Sequence, residues 1–187
     1  MKKILVVAAL MLSSVSTFAQ HAVGSFNLQP KVGVSIANLT EFKGTDPRVG
    51  VVAGVEGEYQ ASDIISVSAG VLYSMQGAKL TDDVTNRLDY INVPIMANVY
   101  VVKGLAVKLG VQPGFNVSNK IKKNNLNAVD NSIKAQSVDV SIPVGLSYEY
   151  SNFQLDARYN WGVSKALKWS DAKNSVFQIT LGYKFDL

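Results

Sequence analysis

From Val49 to Phe185 the chain alternates between oily and polar residues over several separate stretches. Val49, Val51, Ala53, Val55 and Tyr59 alternate with Gly50, Gly54, Glu56 and Glu58. Ile65, Val67, Ala69, Val71, Tyr73 and Met75 alternate with Ser66, Ser68, Gly70, Ser74 and Gln76. A period of two is that of a β-strand whose faces meet different surroundings. A water-soluble barrel would turn its oily face inward and cover the other with charge. Here the polar face is rich in Gly, Ser and Asn, too small to make a charged exterior, so the oily face is the one expected to meet lipid.

Reading such runs between turn signals predicts eight strands, over 26–37, 48–59, 64–76, 88–102, 105–118, 137–149, 153–164 and 174–185. Each is long enough to cross a membrane when tilted. The links alternate: 38–47, 77–87, 119–136 and 165–173 are long, whereas 60–63, 103–104 and 150–152 are short. Short and long links therefore fall on opposite ends, as an up-and-down barrel requires. The fold class expected is all-β, an eight-stranded antiparallel up-and-down transmembrane β-barrel. Phe26, Tyr59, Tyr148, Phe153 and Tyr183 lie toward the short-turn end of the oily face. Tyr73, Phe115, Tyr159, Trp161 and Phe177 lie toward the other, as two interfacial girdles would.

Two energetic demands shape this reading. An unpaired backbone amide in hydrocarbon costs several kcal/mol, so the first strand must pair with the last. A charge on the outer face at mid-membrane would cost roughly 2–4 kcal/mol, which accounts for an oily set read as free of charge. Pro30, Pro94, Pro113 and Pro143 fall within the expected strands, and bulges or strand ends are expected there.

The opposite parity carries Lys31, Glu56, Glu58, Lys108, Asp139, Glu149, Asp156, Arg158 and Lys184, with Asn92, Asn98, Gln112, Asn116, Asn160 and Gln178 between them. Eight strands enclose an interior just wide enough to be filled by side chains, so these groups are expected to pair as a barrel-interior polar network.

With 187 residues, 48% hydrophobic and 17% charged, the chain has room for one ordinary domain and is too oily to be disordered. Its first residues read separately. Lys2 and Lys3, the apolar run from Ile4 to Leu12, and Thr17-Phe18-Ala19 before Gln20 form a cleavable secretory signal over 1–19, leaving a barrel domain over 20–187. That apolar run is shorter than the ~20 residues a helical span needs. Of 18 basic residues, Lys2 and Lys3 leave with the signal, so 16 remain against 14 acidic ones and no nucleic-acid partner is implied. Zero cysteines exclude disulfides, thiolate metal sites and a lipidated cysteine.

Enzyme chemistry finds little footing. Glu56 and Glu58 are same-face neighbours on one strand without an opposed substrate face. The one histidine, His21, lies outside every expected strand and reads as an untethered tail residue, so no His-Ser-acid or His-based metal site can be assembled. No catalytic residue, cofactor or metal is expected. The long links hold Lys120, Lys122, Lys123 and Lys134, then Lys165, Lys168 and Lys173 beside Trp169. Among them Lys120, Lys122, Lys123, Lys134, Lys168 and Trp169 are candidate external contacts for anionic lipid headgroups or surface polysaccharide, though short charge runs are commonly only solvated. Asp82 and Asp83 read as solvation.

Several strings carry a family resemblance. Leu88-Asp89-Tyr90-Ile91-Asn92-Val93-Pro94-Ile95-Met96 resembles the L-x-Y-I/L-E-I/V-P-L/I-L segment of the PorT-like, porin-family outer-membrane β-barrel proteins of Bacteroidetes, with Asn92 at the acidic position. Lys108-Leu109-Gly110-Val111-Gln112-Pro113-Gly114-Phe115, Arg158-Tyr159-Asn160-Trp161-Gly162-Val163 and Gln178-Ile179-Thr180-Leu181-Gly182-Tyr183-Lys184-Phe185 are similar to later strands of that family. The closing segment through Leu187 also resembles the C-terminal signal read by the outer-membrane assembly machinery. The resemblance implies location and fold: the outer membrane of a Gram-negative bacterium, contact with its lipid and lipopolysaccharide, passage through that machinery, and no shared catalytic residues. The function expected is a non-enzymatic, monomeric barrel with a structural or surface-interaction role. A narrow pore, or an accessory part in secretion or envelope assembly, is the alternative.

Overall fold

The computed structural model describes residues 21–40, 46–81, 84–123, 126–130, 136–164 and 173–187. Its strands are β1 (Phe26–Leu39), β2 (Asp46–Gln60), β3 (Ile65–Thr81), β4 (Val84–Asn92), β5 (Ile95–Val102), β6 (Leu105–Lys123), β7 (Leu126–Asp130), β8 (Val138–Tyr150), β9 (Phe153–Gly162), β10 (Asn174–Tyr183) and β11 (Phe185–Asp186). Every pairing is antiparallel, and β10 returns to pair with β1, closing the sheet. β4 with β5, and β10 with β11, each make one crossing, and β7 pairs only with the outer part of β6. The result is a closed antiparallel barrel of eight crossings.

The register gives the stagger directly. In one direction, partners run Lys31, Gly54, Leu72, Asn92, Gly114, Asp139. In the other they run Lys31, Gly182, Gln154, Glu149. The two routes reach β8 ten residues apart, which is the shear of the barrel. Eight strands with that shear tilt by roughly 43° at a backbone radius of about 8 Å. Such a bore holds side chains and little else.

Period two sorts the faces. Val67, Ile95, Val140 and Leu181 are exposed on the outside, 36–50% accessible, while Ser66, Ser68, Asn98, Ser141 and Thr180 of the opposite parity are buried. The aromatic residues of both expected girdles also point outward. Phe153 and Tyr183 pack edge to face at 5.2 Å. Phe26 lies across Gly57, where an added Cβ would come within 2.7 Å of its ring. The aromatic ring thereby covers backbone that the glycine leaves bare.

The expected strands hold, with corrections at their ends. The links expected over 77–87 and 119–136 are largely sheet: β3 runs on to Thr81, β4 starts at Val84, and β6 with β7 forms a hairpin extension to Asp130. Nor is the oily column wholly uncharged. Asp89 shares the parity of Ile91, and it sits two residues beyond Ile91, the partner of the loop-side girdle residue Tyr73, with Arg48 Nη1 at 3.7 Å, where the cost of charge is small.

The prolines need no bulges. Pro94 separates β4 from β5, yet the register with β3 is the same on both sides, Leu72 opposite Asn92 and Ala69 opposite Ile95. The Gly70 N–H still donates to the Pro94 carbonyl at 3.1 Å. Pro30 pairs with Val55, and on its other side the ladder skips between Lys31–Gly182 and Leu28–Phe185, which parts β10 from β11. Pro143 falls in the similar gap between Leu109–Val144 and Gln112–Ser141, and Pro113 pairs with Val140 in register. A missing N–H thus costs one rung, and the neighbouring rungs hold the register. The register shifts lie elsewhere, as between Asp89 and Tyr90 or Tyr100 and Val102.

Candidate functional site

All nine charged residues expected inside are buried, none more than 6% exposed. They divide into three groups along the bore. The largest joins β1, β2, β6 and β9. Lys31 Nζ lies 2.6 Å from Glu56 Oε2 and 3.3 Å from Asp156 Oδ2, and Lys108 Nζ lies 2.7 Å from Asp156 Oδ2. Arg158 Nη2 donates to Asp156 Oδ2 at 2.7 Å and contacts Glu56 Oε1 at 2.8 Å, while its Nε donates to Asp156 Oδ1 at 2.9 Å. Three cations thus share two carboxylates, and the Gln154 amide oxygen accepts from Lys31 at 2.9 Å.

The second group sits nearer the short turns. Lys184 Nζ lies 2.6 Å from Glu149 Oε2 and 3.0 Å from Glu58 Oε2. Tyr100 Oη donates to Glu58 Oε1 at 2.6 Å, and Ser66 donates to the same oxygen. His21 is no untethered residue. Its Nε2 lies 2.8 Å from Glu149 Oε1 and its Nδ1 3.7 Å from Asp186 Oδ1. Gly24 N–H to Gln60 O at 2.8 Å helps fold this segment over the barrel's end. Glu56 and Glu58 belong to different groups and do not act as a pair.

Asp139 stands apart, toward the other end. It accepts from Asn174 Nδ2 at 2.6 Å and from Ser164 Oγ. With Gln76, Asn92, Gln112, Ser141 and Asn160 it lines a cavity of about 10 Å³.

Space for the long charged side chains comes from glycines of the same parity. Lys31 is opposite Gly54 and Gly182, Glu56 opposite Gly70, and Lys108 and Arg158 both opposite Gly145. A Cβ at Gly145 would lie 2.5 Å from the Ala157 carbonyl oxygen. The bore therefore alternates large ionic groups with bare backbone. Gly54 and Gly70 are expected on the polar face but not opposite particular charges, and Tyr90, Tyr100, Leu72 and Met96 are buried without being expected inside. Their parity was the signal, since all share the inward positions.

Among the candidate external contacts, Lys120, Lys122 and Lys123 occupy the outer part of β6 and not an irregular loop. Their side chains, and all of Lys134, Lys168 and Trp169, lie outside the described residues, as does the segment 1–19 expected to be a secretory signal. Among the described residues, no three His, Cys, Asp or Glu side chains are grouped to hold a metal ion.

A closed barrel of eight tilted crossings, apolar outside and ion-paired within, defines an integral outer-membrane β-barrel protein. The chain belongs to the family described as "Outer membrane protein beta-barrel domain", which matches residues 18–168, and it resides in the outer membrane of a Gram-negative bacterium. Its fold is similar to that of Ail, the attachment invasion locus protein of Yersinia pestis. The TM-score is 0.54 at 16% identity, over 88% of this chain and 100% of that one. Ail has also been solved in complex with the heparin analogue sucrose octasulfate, at 17% identity and the same TM-score and coverage. Neisserial surface protein A is similar at TM-score 0.58 and 15% identity, over 86% of this chain and 97% of that one. At these identities the likeness establishes the fold. No curated protein matches the chain. In such barrels the short turns face the periplasm and the longer links the exterior.

Proposed function

We propose that this protein is a non-enzymatic structural or surface-interacting barrel whose bore is closed by its own ion pairs. The observation that carries this reading is the cluster of Lys31, Glu56, Lys108, Asp156 and Arg158, buried from four walls within 2.6–3.8 Å of one another. A solute path would have to break several of these contacts at once, at several kcal/mol for each charge left unpaired. Single-channel recording of the refolded protein in planar bilayers should be silent. Reproducible conductance steps would instead favour the narrow-pore reading.

The working surface is then the exterior. β3 and β6, at 17 and 19 residues, exceed the ~9–11 that span the hydrocarbon, and their excess supports a raised hairpin wall outside it. The lysines of that side, Lys120, Lys122, Lys123, Lys134 and Lys168 with Trp169, are proposed contacts for lipopolysaccharide or anionic headgroups. Within the family the closer kinship is proposed to be PorT-like, of Bacteroidetes. Residues 1–19 are proposed to be removed on export, and 20–187 to be delivered to the membrane by the assembly machinery as a monomer. An accessory part in secretion is open to a deletion test: unchanged export of surface proteins would count against it.

A further inference from the structure

We propose that Asp139 and the amides around it hold a single alkali-metal cation in the outer half of the bore. Asp139 is 6% exposed, and among the described residues no Lys or Arg nitrogen lies within ion-pair distance of it, unlike the other inward carboxylates Glu56, Glu58, Glu149 and Asp156. Its hydrogen bonds from Asn174 and Ser164 are neutral. A buried carboxylate with only neutral partners calls for a positive charge or a proton.

The surroundings are built for the former. Gln112 Oε1 and both polar atoms of Asn160 are buried, make no hydrogen bond to the protein, and belong to side chains lining the same cavity as Asp139. Because both ends of the Asn160 amide are unpaired, either orientation can offer its oxygen. Ser141 Oγ, which donates to the Gln112 carbonyl at 3.3 Å, supplies a further oxygen lone pair. The donor set is therefore one carboxylate, two amide oxygens and a hydroxyl, all hard oxygen ligands that suit an alkali or alkaline-earth ion.

Charge and size choose between those. One carboxylate is neutralised by one positive charge, whereas a divalent ion would leave an excess in a bore that already holds Lys31, Lys108 and Arg158 deeper in. The cavity of about 10 Å³ matches one water-sized occupant, which Na⁺ or K⁺ satisfies and choline does not. Its ligands come from β6, β8 and β9, so the ion would tie three adjacent crossings together near the membrane's outer side.

The test follows unfolding of the refolded barrel in vesicles, in urea with NaCl, KCl or choline chloride at constant ionic strength. A site occupied at ten times its dissociation constant shifts the folding equilibrium about tenfold. The expected result is a higher unfolding midpoint in Na⁺ or K⁺ than in choline, lost in Asp139→Asn and reduced in Gln112→Ala. ²³Na line broadening by wild type and not by Asp139→Asn should accompany it. If Asp139→Asn does not refold, Asn160→Ala takes its place. Equal wild-type midpoints in all three salts would overturn the proposal, as would an alkali effect of full size in the variants. A midpoint that ignores the salt and rises on acidification would assign the charge balance to a proton.

Discussion

Glu56 on β2 meets Arg158 on β9 across the bore, Oε1 to Nη2 at 2.8 Å, although the two strands share no hydrogen-bonded edge. Each also serves a second cluster member, so the contact is one link in a five-residue ionic layer. Three cations and two carboxylates are in that layer, and the imbalance makes its members unequal.

Neutralising Glu56 leaves three buried cations around Asp156 alone, whereas removing Arg158 leaves two cations and two carboxylates. We expect Glu56→Gln to destabilise the folded barrel by about 3–5 kcal/mol, the usual range for an uncompensated buried charge. Arg158→Met should cost less, despite deleting the larger side chain. Urea titration in lipid vesicles, read by tryptophan fluorescence, orders the two. The reverse order would show that packing and not charge governs the layer.

The outer face should respond by depth. Val144 lies between the girdles on β8 and is exposed to hydrocarbon, while Tyr150 sits at the periplasmic rim. Val144→Arg is expected to cost about 2–4 kcal/mol and Tyr150→Arg about 0–1. Equal costs in the same vesicle titration would refute the assignment of this face to lipid.

Gly145 and Gly57 make a paired test of space. A methyl group at Gly145 meets backbone, the Ala157 oxygen at 2.5 Å, opposite both Lys108 and Arg158; at Gly57 it meets only the Phe26 ring, which can turn. Gly145→Ala should lose about 1–3 kcal/mol or fail to refold, and Gly57→Ala should lose less. The fraction of protein that shifts on boiling in gel electrophoresis reports both.

At the β8–β9 turn, Ser151 adopts φ of 55°, a left-handed conformation that Asn and Gly tolerate better than Ser. Ser151→Asn should leave the register unchanged and raise stability by a few tenths of a kcal/mol, up to about 1. A lower urea midpoint would mean that the Ser151 hydroxyl, which donates to Asn152 Oδ1 at 3.3 Å, matters more than the backbone.

Period two alone was enough to sort Val67 from Ser68 and Leu181 from Thr180. In hydrocarbon the penalty for a misplaced polar group is large at every rung, so each strand carries its own orientation in its local residue order. The alternation of short and long links added the antiparallel order, and parity placed all nine charged residues inside. What no local pattern contained was the pairing among them. Lys31 and Asp156 are 125 residues apart, and their contact exists because a shear of ten brings their positions to one level of the bore. The same closure set His21 against Glu149, kept the register unchanged past Pro94 and Pro143 although their ladders are interrupted there, and placed glycines opposite the longest side chains. Facing solvent is a property of one strand and its neighbours in sequence. Which charge meets which across a bore of about 8 Å radius depends on strand number, stagger and tilt together, and those belong to the closed barrel alone.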